Sequence, residues 1–221
     1  MSNKYIPQEI SYTDVEGNGK HVLQRLFSTD PIPKQSPQQL RIALVGGMRS
    51  GKSTIALLMA GVEGAVLSFG DALKYYVRQV FPYMQDGNKP RSLYQTFGQV
   101  MRDIDEDVWV RHVANQIRLY ERYGTPTIII DDLRQPNEYE WAKRNGFVIV
   151  RVDVDEETRY QRAIAKGDDF DREDMRHETE SHYEGFDVDY IIDNNGKWSD
   201  TVDQVQAVIE RSKNDKGDDV K

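Results

Sequence analysis

The sequence contains no cysteine, so neither a disulfide framework nor a cysteine-ligated zinc site is available to it. It has no long apolar run either: nothing approaches the ~20 residues of a membrane span. The opening MSNKYIPQEI does not read as a signal peptide. A soluble, cytoplasmic chain without a membrane partner is the expectation. Positive charge is in the minority, with 29 Lys and Arg against 37 Asp and Glu and a net charge of −8. No broad basic face follows from that balance, and stable nucleic-acid binding is not expected. Anionic ligands stay open, because a few arginines can converge locally in an acidic protein. Repeats and low-complexity tracts are also missing. What remains is a 221-residue chain, 30% charged, of mean hydropathy −0.71. That suits one α/β domain with a compact core under a charged surface.

The most informative stretch is RIALVGGMRSGKST, residues 41–54. Ile42–Val45 reads as a buried strand and Ile55–Ala60 as a helix. Between them stands Gly46-x-x-x-x-Gly51-Lys52-Ser53, in the strand, loop and helix context of a P-loop. Triphosphate oxygens need many donors at close range, so such a loop needs glycines whose backbone can approach without a Cβ in the way. The loop's N–H groups and the helix N-terminus then face the phosphates. Gly46, Gly47, Met48, Arg49, Ser50, Gly51, Lys52, Ser53 and Thr54 are the candidate ATP-binding residues. Lys52 supplies charge to the β and γ oxygens, and the Ser53 hydroxyl is a candidate Mg²⁺ ligand.

The rest of the chain alternates strands and helices. Ala65–Phe69 reads as a strand broken by Gly70-Asp71, and Ala72–Phe81 as a helix. Lys74 and Arg78 are four apart and share a face, one that either meets an anion or is simply solvated. Tyr83–Pro90 reads as a loop, and Leu93–Arg102 and Val108–Tyr123 as helices, the second with Asp105-Glu106-Asp107 ahead of it. Thr127–Ile130 is a β-branched run ending in Asp131 and Asp132, at the place where P-loop enzymes hold the Mg²⁺ water shell. Arg134 follows at the carboxyl edge, where open α/β sheets bind ligands. Asn137–Asn145 is a helix, Phe147–Val152 a strand, Glu156–Ala165 a helix carrying Arg159 and Arg162, Tyr190–Ile192 a strand, and Asp200–Ser212 the last helix. The polar stretch Gly167–Arg176 is either solvated or a lid. The pattern predicts a five-stranded, mostly parallel sheet with helices on both faces. It divides into an N-terminal extension of unknown role (residues 1–39, a docking segment or a partly ordered arm), a domain at 40–212 and a disordered tail at 213–221.

From the P-loop to Gly196 the chain resembles the nucleoside monophosphate kinase group of P-loop kinases, and within it the phage-type deoxynucleoside monophosphate kinases. The resemblance lies in SFGDALKYYV, then LYQTFGQVMRDIDEDVWV with its Gln-x-x-Gly-x-x-x-Arg and Asp-x-Trp, then IIIDDLRQPNEYEWAKRNGFVIV. HETES and DYIIDNNG follow, similar to the family's His-x-Ser-Glu and Asp-x-x-Ile-x-Asn-x-Gly. Thr179 stands where the family has Ser, and the N-terminal extension has no counterpart. The resemblance implies a P-loop NTPase three-layer fold with monophosphate-binding helices and a lid, ATP and Mg²⁺ as cofactors, and a (deoxy)nucleoside monophosphate as acceptor. It implies a host-cytoplasm location for a phage-encoded chain, and leaves a homodimer open. Gln95, Arg102 and Trp109 would line the acceptor pocket with Asp71 and Lys74, and Arg134 would grip the acceptor phosphate. Arg159 and Arg162 would close on the transferred phosphoryl, and Asn195 and Gly196 would lie near the donor adenine.

Transfer between two anions needs their repulsion cancelled, which arginine forks do well. A phosphate acceptor needs no strong base, so His177 reads as structural. An acceptor of the phosphomevalonate, dephospho-coenzyme A or hydroxymethylpyrimidine kind keeps the same fold; a hydroxyl acceptor would make Asp71 the candidate base. A nucleotide-dependent switch with weak ATPase activity is the reading outside the kinases.

Overall fold

The structure, a computed structural model, describes residues 39–84, 91–167 and 182–218. Residues 1–38 of the N-terminal extension, residues 168–176 of the expected lid, His177 and Thr179 lie outside the described residues.

The elements run β1 (Leu40–Val45), α1 (Lys52–Ala60), β2 (Ala65–Leu67), α2 (Phe69–Val80), α3 (Arg91–Ile104), α4 (Val108–Arg122) and β3 (Thr127–Ile130). Then come α5 (Pro136–Arg144), β4 (Val148–Asp153), α6 (Glu156–Ala165), β5 (Tyr190–Asp193) and α7 (Trp198–Asp218), with short 3₁₀ turns at Pro82–Met84 and His182–Gly185. One sheet forms in the order β2-β3-β1-β4-β5, and every neighbouring pair is parallel. Ile42 stands opposite Ile129 on one side and Val148 on the other.

Side chains alternate across a strand, so each strand feeds two cores. Ala43, Val45, Ile128, Ile130 and Ile149 point to the face covered by α2, α4 and α5, where Phe69, Val110, Val113, Ile117 and Trp141 pack. Leu40, Ile42, Leu44, Ile129, Val150 and Val152 point the other way, against Ile55 and Met59 of α1 and Val205 and Val208 of α7. The result is three layers. At the amino edge of the sheet the Arg41 guanidinium is buried: Nε donates to Gln39 Oε1 (3.0 Å), Nη1 to the Asn145 carbonyl (3.0 Å), and Nη2 pairs with Glu121.

The end of β2, the start of α2 and the end of α7 differ from the sequence reading. β2 stops at Leu67, and Gly70 and Asp71 lie in the first turn of α2 instead of breaking the chain ahead of it. Asp132 explains this: its carboxylate accepts from the Phe69 N–H (2.7 Å) and the Gly70 N–H (3.0 Å). A helix start is thus capped from another strand, which local sequence does not reveal. β3 spans Thr127–Ile130 as read, with both acids just after it. At the other end, α7 runs from Trp198 through Ser212 to Asp218, into the stretch expected to be a disordered tail.

Candidate functional site

β1 delivers the chain to the loop at its carboxyl end, between β3 and β4. Gly46 has φ 143°, and a Cβ there would stand 2.6 Å from the Val152 carbonyl oxygen of β4, so only glycine lets the loop lie against the sheet. Gly51 caps α1 with φ 96°, and its carbonyl accepts from Thr54 and Ile55. Arg49, with φ 61°, is the non-glycine residue with positive φ among the described residues. Such a backbone costs energy unless its surroundings hold it. The Ser50 N–H closes the turn on the Gly47 carbonyl at 3.2 Å. Lys52, buried, folds over the loop and donates from Nζ to the carbonyls of Gly46 (2.5 Å) and Gly47 (2.7 Å). Ser53 and Thr54 are exposed at the start of α1, and Met48 and Arg49 are half-exposed.

The loop is held from β5 and α6. Asn194, 6% exposed, donates from Nδ2 to the Ser50 carbonyl (2.8 Å), while its Oδ1 accepts from the buried Thr201 hydroxyl (2.9 Å). Arg162 donates from Nη2 to the Asn194 carbonyl (2.8 Å), with Nη1 at 3.5 Å from the carbonyls of Arg49 and Ser50. Arg162 therefore grips the loop's backbone. Arg159 does something else: its guanidinium lies directly against Gly47. Asn195 is exposed; its Oδ1 accepts from the Asp155 N–H (2.8 Å) and its Nδ2 donates to Asp193 (2.6 Å). Gly196 lies at the surface, before α7.

At the end of β3, the strand beside β1, Asp131 accepts from the Ser68 hydroxyl (2.5 Å). Asp132 is turned to the amides of α2, and burial, then the charge of Asp131, pushes its carboxyl up. Glu138, buried in the first turn of α5, accepts at Oε2 from the N–H groups of Arg134 and Gln135, 3.0 Å each. Burial, then the charge of Asp132, pushes its carboxyl up to about 7. Backbone N–H bonds from Gly70 and Phe69, with the charge of Arg134, pull Asp132 back down, and those from Gln135 and Arg134, with the charge of Arg102, do the same for Glu138.

Of the residues expected to bind an acceptor, Asp71, Lys74, Arg102 and Arg134 gather around that corner. Lys74 Nζ is 3.5 Å from Asp71 and folds over Gly70 beside Asp132. Arg102 also lines a polar cleft of about 360 Å³ with Gln99, Asp103, Glu106, Gln135 and Asn137. Gln95 and Arg78 lie on exposed faces of α3 and α2. Trp109 does not line an open pocket: it is 3% exposed in the core, with Nε1 3.4 Å from the Gly98 carbonyl.

Residues 42–184 match the AAA domain family along their whole length. The chain belongs to that family. No curated protein matches it. In fold this AAA domain is similar to TT1252 from Thermus thermophilus, at 20% identity and a TM-score of 0.51 over 79% of this chain and 98% of that one. It is also similar to a gluconokinase from Sinorhizobium meliloti 1021, at 15% identity and a TM-score of 0.52 over 83% and 99%. With the parallel sheet, these likenesses establish the α/β P-loop NTPase fold. Among the described residues no helix is long and apolar enough to cross a membrane.

For Mg²⁺ the test is the donor set. Among the described residues there is no group of three or more His, Cys, Asp and Glu that could hold a metal. Mg²⁺ does not require one, because it keeps several waters and takes one or two protein oxygens beside substrate phosphates. The Ser53 hydroxyl and the Asp131 carboxylate fit that description. Asp132, with both oxygens on α2 amides, fits it less well.

Reading the AAA domain's sequence missed Asn194 and Glu138. The Asp-x-x-Ile-x-Asn-x-Gly order, counted from Asp189, puts its Asn at 194, and alternation from buried Ile192 puts it inward. Pro136 at the first helical position with Glu138 two residues on is a helix-start signature, and the structure has a full capping box there.

Proposed function

We propose that this AAA domain transfers the terminal phosphoryl group of ATP to a (deoxy)nucleoside monophosphate, giving ADP and the diphosphate, as its resemblance to the phage-type deoxynucleoside monophosphate kinases implies. The observation that carries the reading is the pairing of sites. Arg102 lines a polar cleft with Gln135, the neighbour of Arg134, just beyond the end of β3, and β3 is hydrogen-bonded to the strand that launches the P-loop. Two cation-bearing sites on neighbouring strand ends suit two phosphate-bearing molecules.

In this reading the loop amides and Lys52 hold the donor's phosphates, and Arg134 and Arg102 hold the acceptor's. Lys52 exchanges the carbonyls of Gly46 and Gly47 for phosphate oxygens. Ser53 and Asp131 would hold Mg²⁺, which when bound would supply positive charge to offset that of the donor's phosphates. Arg162 keeps the loop's backbone in place, and Arg159 meets the terminal phosphate at Gly47. No residue need abstract a proton, because the acceptor is itself a phosphate oxygen.

The test is ADP release over a panel of ribo- and deoxynucleoside monophosphates. At least one should raise turnover well above acceptor-free ATP hydrolysis, and Lys52→Ala should abolish that turnover while leaving the melting temperature in place. A flat panel with Lys52-dependent hydrolysis would sink the kinase reading in favour of a nucleotide switch. A hydroxyl acceptor is the second reading. It is favoured by Asp71, half-buried in the first turn of α2 with Lys74 3.5 Å away, and by the fold's likeness to a gluconokinase. Adding sugar and hydroxymethylpyrimidine acceptors to the panel separates the two.

A further inference from the structure

Tyr183 has no part in the roles assigned above, yet its hydroxyl lies at the P-loop. A Cβ built on Gly47 would stand 3.2 Å from Tyr183 Oη and in collision with the Arg159 guanidinium. Two donors from distant parts of the chain therefore converge on one point over the loop's second glycine. Lys52 Nζ reaches the same residue, 2.7 Å from the Gly47 carbonyl. In a P-loop the lysine reaches the β and γ oxygens, so this face of Gly47 is where the donor's terminal phosphate comes to lie.

We infer that Tyr183 is a further catalytic residue: its hydroxyl, with Arg159 and Lys52, binds the terminal phosphate of ATP above Gly47. Transfer to an acceptor rests on the kinase reading above, but the contact with the donor does not. Arg159 Nε is buried with no hydrogen-bond partner. A buried guanidinium N–H left unpaired is costly, and an anion beside it removes that cost.

Tyr183 is well placed to act with it. Its ring packs against the core cluster under α2, α4 and α5, and its carbonyl accepts from the Phe186 N–H (3.2 Å), so the hydroxyl is held from behind. A phenol donates to a phosphate oxygen without bringing negative charge at neutral pH.

The experiment is Tyr183→Phe in the full chain, which keeps the ring and removes only the oxygen. Affinity is measured for a non-hydrolysable ATP analogue and for ADP, both with Mg²⁺ and without acceptor, together with the melting temperature. A lost hydrogen bond to a charged phosphate should weaken the analogue roughly tenfold. ADP affinity and melting temperature should not move. Equal affinities of variant and parent for the analogue would overturn the assignment and leave Tyr183 as packing. So would an equal loss for analogue and ADP, since the hydroxyl would then shape the loop and not read the terminal phosphate. Because the binding measurement uses no acceptor, a flat acceptor panel sinks the kinase reading and leaves this result standing or falling on its own.

Discussion

Asn194 donates its side-chain amide to the Ser50 carbonyl at 2.8 Å, joining the end of β5 to the P-loop across 144 residues of chain. The same side chain accepts from Thr201 at the start of α7, so one carboxamide fixes three segments. The loop owes its shape to the far edge of the sheet as much as to its own glycines.

Asn194→Ala should therefore cost both stability and nucleotide affinity. It leaves the buried Ser50 carbonyl and Thr201 hydroxyl without this partner, each worth about 1–3 kcal/mol when unsatisfied. Denaturant unfolding should show a loss of about 2 kcal/mol or more, and ATP-analogue titration a weaker site. Asn195→Ala, at an exposed position, should change stability by less than about 0.5 kcal/mol. If the two variants behave alike, the buried amide is not what holds the loop.

Gly47→Ala separates fold from site. Gly47, unlike Gly46 and Gly51, is not in the positive-φ region, so alanine meets no backbone strain. Its methyl would instead strike the Arg159 guanidinium, the far end of a flexible side chain that can move aside. The variant should melt close to the parent and lose at least about tenfold in turnover, as a displaced charge at a phosphate predicts. A variant with normal turnover would show that Arg159 is not needed against the loop.

How much of this was legible in the sequence depends on distance along the chain. β1, the loop and α1 read correctly because strand, glycines and helix are contiguous and each carries its own signal. The alternation of strands and helices likewise gave the parallel sheet, since parallel strands need crossovers. The start of α2 did not read correctly, because its cap is Asp132, 63 residues from Phe69. Trp109 was taken for a pocket residue when its neighbours Phe97 and His112 enclose it. Arg159 and Arg162 lie three apart on α6 and look equivalent in sequence, yet one touches Gly47 and the other grips the carbonyls of Arg49, Ser50 and Asn194. Motif order could name these residues; only packing could divide the work between them.

The two acids ending β3 should divide in the same way. Asp131 takes a hydroxyl donor from Ser68, whereas Asp132 caps α2 through two amides. Asp132→Ala should lose about 1–2 kcal/mol of stability, the range of a removed helix cap. Asp131→Asn should stay folded but require more Mg²⁺ for half-maximal turnover, and chelation should stop both variants and the parent. If Asp131→Asn shows an unchanged Mg²⁺ requirement, the metal's water shell is held elsewhere.

Glu138 makes the stability of this corner depend on pH. Its carboxyl stands at about 7 in the folded chain against an ordinary 4.5, through burial and the charge of Asp132. Between those values the folded protein keeps a proton that the unfolded chain has released. Stability is then fully present below about 4.5 and falls as pH rises towards about 7, by on the order of 3 kcal/mol at most. Burial pushes Asp132 the same way, so its contribution adds to the slope. Glu138→Gln keeps an oxygen for the N–H groups of Arg134 and Gln135 and removes the titration. Unfolding measured at pH 5 and pH 8 should show the parent losing more stability than the variant over that interval. Parallel profiles would mean that the N–H groups of Gln135 and Arg134 and the charge of Arg102 keep Glu138 ionised throughout.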